Sequence, residues 1–263
     1  MASHQRKMFE NILRFMACVV IRARQPLIIG ILGLSGNTLT KEAVTLVLSQ
    51  TYFVRKIQGE RADETDVWLT IIGASDARAP LIYLMAAFFR WLAIMVLPIR
   101  YPDVLVLEMN IEQLGDAEHL MSCIPMKIGV VTQIISNDNT SSEFAGDVVK
   151  KYGKLMALLP EDGFAILNAD DKRILKLREK TPAKVITYGF GADALLLADN
   201  PVSHRELGGD EGFSFKLNYD GKTIPVRLPK SATTAHIEPA LTAAAVGIAL
   251  KMNLVEIVSI LET

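Results

Sequence analysis

A glycine-rich segment near the amino terminus has the residue spacing of a phosphate-binding turn. Residues 28–42 are expected to form a short apolar strand, a turn containing Gly33 and Gly36, and the beginning of a helix. The backbone N–H groups of such a turn cradle an anion together with the helix amino terminus. The phosphate-loop pattern G-x-x-x-x-G-K-[ST] has a lysine where this chain has Asn37. The segment therefore predicts a nucleotide-binding loop without its main cation, and an ordinary strand-to-helix turn is the alternative.

Carboxylates follow two apolar runs further along the chain. Glu108 comes directly after the four apolar residues 104–107, and Asp170 and Asp171 follow the apolar run 163–168. Unbroken apolar runs are typical of strands buried on both faces of a parallel sheet, and such sheets bind ligands at the carboxyl ends of their strands. We therefore expect Glu108 to face a ligand. A solvated strand end is the alternative for Glu108, and a helix cap is the alternative for the two aspartates.

The spacing of apolar runs predicts the elements that would hold these residues. Strands alternate with helices, which indicates an α/β fold with a doubly wound, mostly parallel sheet and right-handed crossovers. Residues 213–228 alternate apolar and polar residues around Asp220-Gly221, which predicts a β-hairpin. Other strands are expected at 52–55, 104–108, 127–132, 163–168 and 183–189, helices at 79–98, 114–121, 143–159, 171–180, 236–250 and 255–261, and a loop at 58–66.

Composition and charge narrow the classes of partner. The chain has 263 residues, half of them hydrophobic, and a net charge of −1, which gives no electrostatic reason to expect a nucleic acid. Cys18 and Cys123 lie far apart in apolar surroundings, so we expect buried free thiols in a reducing compartment. The four histidines lack the spacing of metal ligands, so the sequence predicts no zinc site.

Two apolar helices raise the question of membrane contact. Residues 7–24 are interrupted by arginines and predict an amphipathic helix, either packed on the domain or lying at a membrane surface. Residues 79–98 have the length of a membrane span, but Arg90 stands at their middle, which favours a buried or interfacial helix. We therefore expect a cytoplasmic protein with peripheral membrane contact through residues 7–24 and 81–97.

The motifs, taken in order, resemble the central ATP-binding domain of the Mur ligases. The resemblance covers residues 26–261, and the run 159–171 is its strongest element. Within the family, the branch that adds D-alanyl-D-alanine to the UDP-N-acetylmuramoyl tripeptide is most similar. A single glycine loop matches by chance, so the ordered set carries the resemblance. Its members are the glycine-rich loop, residues 107–108, 130–132, 163–171 and 187–189, and His236 with the alanine-rich helix after it.

The resemblance implies a ligase that makes an acyl phosphate from a carboxylate and ATP, which an amine then attacks. ATP, Mg²⁺ and a UDP-muramoyl-peptide precursor would be its ligands. Thr38 and Glu108 would face the metal. The domain would span residues 28–263 after a helix at 1–27, without the family's N-terminal substrate domain and C-terminal domain. Residues matching the family's nucleotide contacts are Gly33, Ser35, Gly36, Asn37, Thr38, Leu39, Asn168 and Asp171.

The departures from the family's pattern concern catalysis. Asn37 replaces the loop lysine, Gln133 an asparagine and Asp138 a histidine. Tyr152 stands where the family has a lysine that carbon dioxide modifies, and tyrosine cannot form a carbamate. Losing one preorganised electrostatic group costs about 100- to 1,000-fold in rate. Two hypotheses follow: a divergent, catalytically impaired Mur-type peptide ligase, or a non-catalytic nucleotide-binding or protein-interaction module, with or without peripheral membrane contact.

Overall fold

The computed structural model describes residues 2–57, 64–74, 80–109, 121–134, 142–205, 211–229 and 232–263. The helices are α1 (Ala2–Arg24), α2 (Asn37–Leu48), α3 (Glu64–Ile72), α4 (Pro80–Val96), α5 (Ser142–Ala157), α6 (Lys172–Leu175), α7 (Ile237–Ala249) and α8 (Leu254–Leu261). The strands are β1 (Leu27–Leu32), β2 (Val54–Lys56), β3 (Val104–Met109), β4 (Ile128–Val131), β5 (Phe164–Asn168), β6 (Lys184–Gly189), β7 (Leu196–Arg205), β8 (Glu211–Tyr219) and β9 (Lys222–Arg227).

The nine strands of the described residues belong to one sheet in the order β2-β3-β1-β4-β5-β6-β7-β8-β9. The strands from β2 to β7 pair in parallel, and β8 and β9 continue the sheet as an antiparallel hairpin. Apolar residues fill both faces: one core joins α1, α3, α4 and α5 to the sheet, and the other joins α2, α7 and α8. The predicted doubly wound α/β fold is confirmed.

The hairpin forms where its turn residues predict it. Asp220 and Gly221 adopt φ angles of 50° and 71°, the left-handed conformation that a two-residue hairpin turn requires at both positions. Strand β7 was not predicted. Its sequence includes Asn200-Pro201, Asn200 has a φ of 50°, and the register with β8 shifts between Asp199 and Val202. Proline and a bulge remove the alternation by which a strand is recognised in sequence.

Several sequence-based boundaries were wrong, and some predictions cannot be compared. Residues 64–66 belong to α3 rather than to the loop predicted at 58–66. The helix predicted at 171–180 is α6 followed by a 3₁₀ turn over Lys176–Glu179. Residues 58–63, most of the helix predicted at 114–121, and Asp138 lie outside the described residues.

The amino-terminal helix is an integral part of the domain. Leu13, Met16 and Val20 of α1 are buried in the first core, where α1 packs against α3 and α4. The expectation of free thiols was wrong: Cys18 of α1 is bonded to Cys123, with 5.1 Å between their Cα atoms. The packing of α1 brings together two cysteines that are 105 positions apart, which residue spacing could not reveal.

Candidate functional site

The glycine-rich loop connects β1 to α2 at the carboxyl edge of the parallel sheet. Gly36 precedes the first helical residue, Asn37, and takes a φ of 77°, which favours glycine. The N–H of Thr40 donates to Gly36 O at 3.0 Å, which closes the first helical turn. The first N–H groups of a helix have no partner within the helix, so this end of α2 can receive an anion.

Asn37 holds the loop in shape through its side chain. Its Nδ2 donates to Gly33 O at 2.8 Å, and the Thr132 hydroxyl donates to its Oδ1 at 2.8 Å. A Cβ at position 33 would lie 2.0 Å from Thr132 Oγ1, so the close approach of these segments requires glycine there. The neutral amide of Asn37 is therefore committed to the loop itself and brings no charge to a phosphate.

A second set of hydrogen bonds ties the loop to the beginning of α7. Ser35 Oγ donates to Gln133 Oε1 at 2.9 Å, and Gln133 Nε2 donates to Glu238 Oε2 at 2.7 Å. The N–H of Leu34 also donates to Gln133 O at 2.7 Å. Burial raises the pKa of Glu238, and the hydrogen bond from Gln133 partly offsets that effect. Sequence reasoning named Ser35 and Gln133 but missed Glu238, which no motif singles out.

A buried ion pair lies one helical turn further along α2. Lys41 Nζ donates to Glu108 Oε2 at 3.1 Å, and both side chains are buried. Glu108 is held there by the sheet, because β3 pairs with β1 and places Glu108 beside Ile31. Lys41 was missed by sequence reasoning, although its position four residues after Asn37 puts both on one face of the helix. This lysine is a cation close to the loop.

The residues expected to face magnesium can supply two oxygen ligands. Thr38 lies half-buried in the first turn of α2 beside Leu39, and Glu108 offers a carboxylate of which one oxygen already accepts from Lys41. The described residues contain no cluster of three or more metal-ligating histidine, cysteine or acidic side chains. Mg²⁺ commonly binds through one or two carboxylates, water and substrate phosphates. A hydroxyl and a carboxylate are the kinds of oxygen ligand that magnesium binds together with a nucleotide, and Thr38 and Glu108 as its ligands remain a prediction.

The polar residues after β5 serve the local structure. Asn168 Oδ1 accepts from the Asp170 N–H at 2.9 Å, and Asp171 caps α6 by accepting from the Arg173 N–H at 2.9 Å. Burial raises the pKa of Asp171, but hydrogen bonds and an ion pair with Arg173 outweigh it and hold the pKa below its usual range. The Asp170 carboxylate accepts the Phe190 N–H at 2.9 Å. A nucleotide contact from Asn168 or Asp171 remains a prediction.

Two further predicted positions have structural roles. Tyr152 lies on α5 and is 1% exposed, within the core on the α1 side of the sheet. The Nδ1 of His236 accepts from the Thr233 N–H at 3.0 Å, so His236 closes the turn that leads into α7. The structure thus brings together four of the predicted residues, Gly33, Ser35, Asn37 and Gln133. Glu108 of β3 lies near them through its ion pair with Lys41 of α2.

Comparison with known proteins identifies relatives of this arrangement. The sequence profile of the Mur ligase middle domain matches residues 33–247. The UDP-N-acetylmuramoyl-tripeptide–D-alanyl-D-alanine ligase of Mycobacterium leprae is 27% identical over 165 residues, which is 63% of this chain and 27% of that enzyme. The UDP-N-acetylmuramate–L-alanine ligase of Clostridium novyi is 36% identical over 63 residues, which is 24% of this chain and 14% of that enzyme.

Solved structures share the fold. One crystal structure of MurF from Acinetobacter baumannii matches with a TM-score of 0.74 and 18% identity, covering 97% of this chain and 49% of that one. MurF ligase from Thermotoga maritima, solved in complex with ADP, matches with a TM-score of 0.70 and 17% identity, covering 95% of this chain and 52% of that one. This chain thus spans about half the length of these solved relatives.

Proposed function

This chain belongs to the Mur ligase family through the middle domain, and on that premise we propose that its glycine-rich loop binds ATP for amide-bond formation in peptidoglycan precursor synthesis. The observation that carries the proposal is the loop itself. Gly33, Ser35 and Asn37 form a preorganised turn at the amino end of α2, and Thr132 and Gln133 hold it from the neighbouring strand. Mur ligases depend on ATP, and a glycine-containing turn before a helix amino terminus is the kind of backbone that binds phosphates, which supports the proposal.

The proposed reaction joins a carboxylate to an amine in two steps. The carboxylate of a UDP-muramoyl peptide attacks the γ-phosphorus of ATP, which releases ADP and leaves an acyl phosphate. The amine of the incoming amino acid or dipeptide then attacks the acyl carbon, and the carbon–oxygen bond to phosphate breaks. The amine loses a proton as phosphate leaves. Magnesium would neutralise phosphate charge in the first step, and Thr38 and Glu108 are the residues that would hold it.

We propose that catalysis by this site is impaired because the loop brings no positive charge to the transferring phosphate. Asn37 is neutral and bonded within the loop, and Lys41 is bonded to Glu108. The carbamate-forming position of the family is Tyr152, which is packed in a core. Preorganised charge is a large share of the catalysis of phosphoryl transfer. The second candidate function is accordingly a nucleotide-binding or protein-interaction module without turnover, which the same committed side chains favour.

One titration separates the two functions. The purified chain is titrated with magnesium-ATP by calorimetry, and phosphate release is then measured with a UDP-muramoyl tripeptide and D-alanyl-D-alanine. ATP binding with turnover supports the ligase; binding without turnover supports the non-catalytic module. Absence of binding at millimolar ATP would overturn the ligase and the nucleotide-binding module, because each requires the loop to hold a nucleotide, and would leave the protein-interaction module.

A variant tests whether charge is what the loop lacks. Asn37→Lys adds a charge-assisted hydrogen bond, worth about 1.5–3 kcal/mol, so ATP should bind about 10- to 100-fold more tightly. Asn37→Met is the matched control, since it has a similar length without charge. Tyr152→Lys should not be combined with Asn37→Lys, because it would bury an ammonium group in a hydrophobic core and destabilise the protein. Equal affinities for the lysine and methionine variants would show that the loop does not present position 37 to the phosphates.

A further inference from the structure

Two neighbouring helices carry large apolar side chains on their outward faces. On α1 these recur at intervals of four and three residues, and on α4 at intervals of four and seven, so each set follows one face of its helix. Between 38% and 70% of each residue is exposed to solvent. We call this set the apolar surface; its members are Met8, Ile12, Phe15, Met85, Phe89 and Val96.

The two helices that carry the apolar surface are neighbours. Both helices cover the same face of the sheet and pack against each other, with Leu13 and Ile94 among the residues turned towards the core. The Arg24 guanidinium at the end of α1 donates to the carbonyls of Ile94 and Leu97 at the end of α4. The carboxyl ends of the two helices therefore lie close together. Exposed apolar areas of this kind mark interaction sites.

The charges around the apolar surface indicate what it contacts. Residues 2–24 contain five basic residues and one acidic residue, and residues 80–100 contain two arginines and no acidic residue, although the whole chain has a net charge of −1. The rest of the chain is therefore net acidic. Arg22 is exposed and Arg14 half-buried on α1, and Arg100, just beyond α4, is exposed with its guanidinium 3.8 Å from the Asp103 carboxylate. Basic residues beside aromatic and aliphatic side chains are typical of helices that lie on anionic lipid.

We propose that α1 and α4 dock this protein on the surface of an anionic phospholipid bilayer. The aromatic side chains of the apolar surface enter the interface between headgroups and acyl chains, and the exposed Arg22 contacts lipid phosphates. Among the described residues, no helix is both long and apolar enough to cross a bilayer. Docking places the loop of the nucleotide site beyond the sheet, because α2 covers the opposite face from α1.

Vesicle sedimentation tests the proposal directly. The full chain is mixed with vesicles of phosphatidylcholine alone or with about one-third phosphatidylglycerol, at low and high salt. We expect binding to the anionic vesicles only, and loss of most of it at high salt. The Phe15→Ser/Phe89→Ser variant should bind the anionic vesicles at least about tenfold more weakly, because it can no longer bury these two aromatic rings in the bilayer. Arg22→Gln should weaken binding about fivefold.

The matched control replaces exposed apolar residues on the other helical layer. Leu46→Ser/Val255→Ser changes side chains that are 43% and 62% exposed on α2 and α8, and it should bind vesicles as the unchanged chain does. Circular dichroism confirms that each variant is folded. Equal binding to neutral and anionic vesicles would overturn the proposal. So would an equal loss of vesicle binding in Phe15→Ser/Phe89→Ser and in the control Leu46→Ser/Val255→Ser. So would a Phe15→Ser/Phe89→Ser variant that only turns a dimer into a monomer in light scattering, since the surface would then join two copies of the chain. ATP titration is a separate readout, so failure here leaves the nucleotide proposal standing.

Discussion

Replacing Lys41 with methionine removes the ammonium that lies 3.1 Å from Glu108 Oε2 and leaves the carboxylate buried without that partner. Breaking a buried pair by removing one member costs about 3–5 kcal/mol, because the remaining charge has lost its compensation. For a chain of this size about 1 kcal/mol shifts the unfolding midpoint by roughly 2–4 °C, so Tm should fall by about 10 °C. The double variant Lys41→Met/Glu108→Leu removes both charges and should recover most of the loss.

The assay is urea unfolding followed by circular dichroism, with the dependence on urea checked for constancy between variants. Lys150→Met is the matched control, because Lys150 forms an exposed ion pair with Asp147 at 3.2 Å on α5. An exposed pair contributes about 0–1 kcal/mol, so this variant should be close to neutral. If Lys41→Met cost no more than the control, or if the double variant were as unstable as the single one, the pair would not be the buried, coupled contact described here.

Other variants test the loop, a buried carboxyl and the hairpin. Gly33→Ala places a Cβ 2.0 Å from Thr132 Oγ1, so urea unfolding should show a loss of about 1–3 kcal/mol that Gly33→Ala/Thr132→Ala partly restores. Because burial raises the pKa of Glu238, the folded state holds that proton more tightly than the unfolded chain, and stability should fall as pH rises above the ordinary range of a glutamic acid. Urea midpoints measured from about pH 4 to 7 should depend less on pH in Glu238→Gln. Gly221→Val forces a branched residue to a φ of 71° and should lower Tm, whereas Gly221→Asn should be nearly neutral.

Local signals in the sequence predicted most of the fold. The apolar residues 104–107 and 164–167 identified β3 and β5, because strands covered on both faces need uninterrupted apolar residues. Asp220-Gly221 identified the hairpin, because few residues accept left-handed φ angles. Strand β7 could not be found in this way, since its pairing with β6 and β8 overrides a proline and a bulge that locally favour a loop.

The shape of the candidate site could be predicted, but its network of side chains could not. The turn around Gly33 and Gly36 is a local feature, and its glycines reveal it. The contact of Lys41 with Glu108 spans 67 positions, and that of Gln133 with Glu238 spans 105. Such contacts depend on which strands and helices become neighbours in the fold, so residue spacing along the chain does not predict them. The exchange of a phosphate-loop lysine for Asn37 could be read directly, but the bonds that Asn37 makes could not.

These bonds determine what a restored lysine would change. A lysine ammonium has three donors and no acceptor, so a lysine at position 37 could not accept the proton of Thr132 as Asn37 Oδ1 does. The Thr132 hydroxyl has two other acceptors within reach, Leu32 O at 3.2 Å and Ser35 O at 3.1 Å. It can therefore turn to the loop's own carbonyls and still hold the turn closed. Asn37→Lys should consequently cost the loop little of its shape while adding the charge it lacks, so a gain in ATP affinity would measure charge alone.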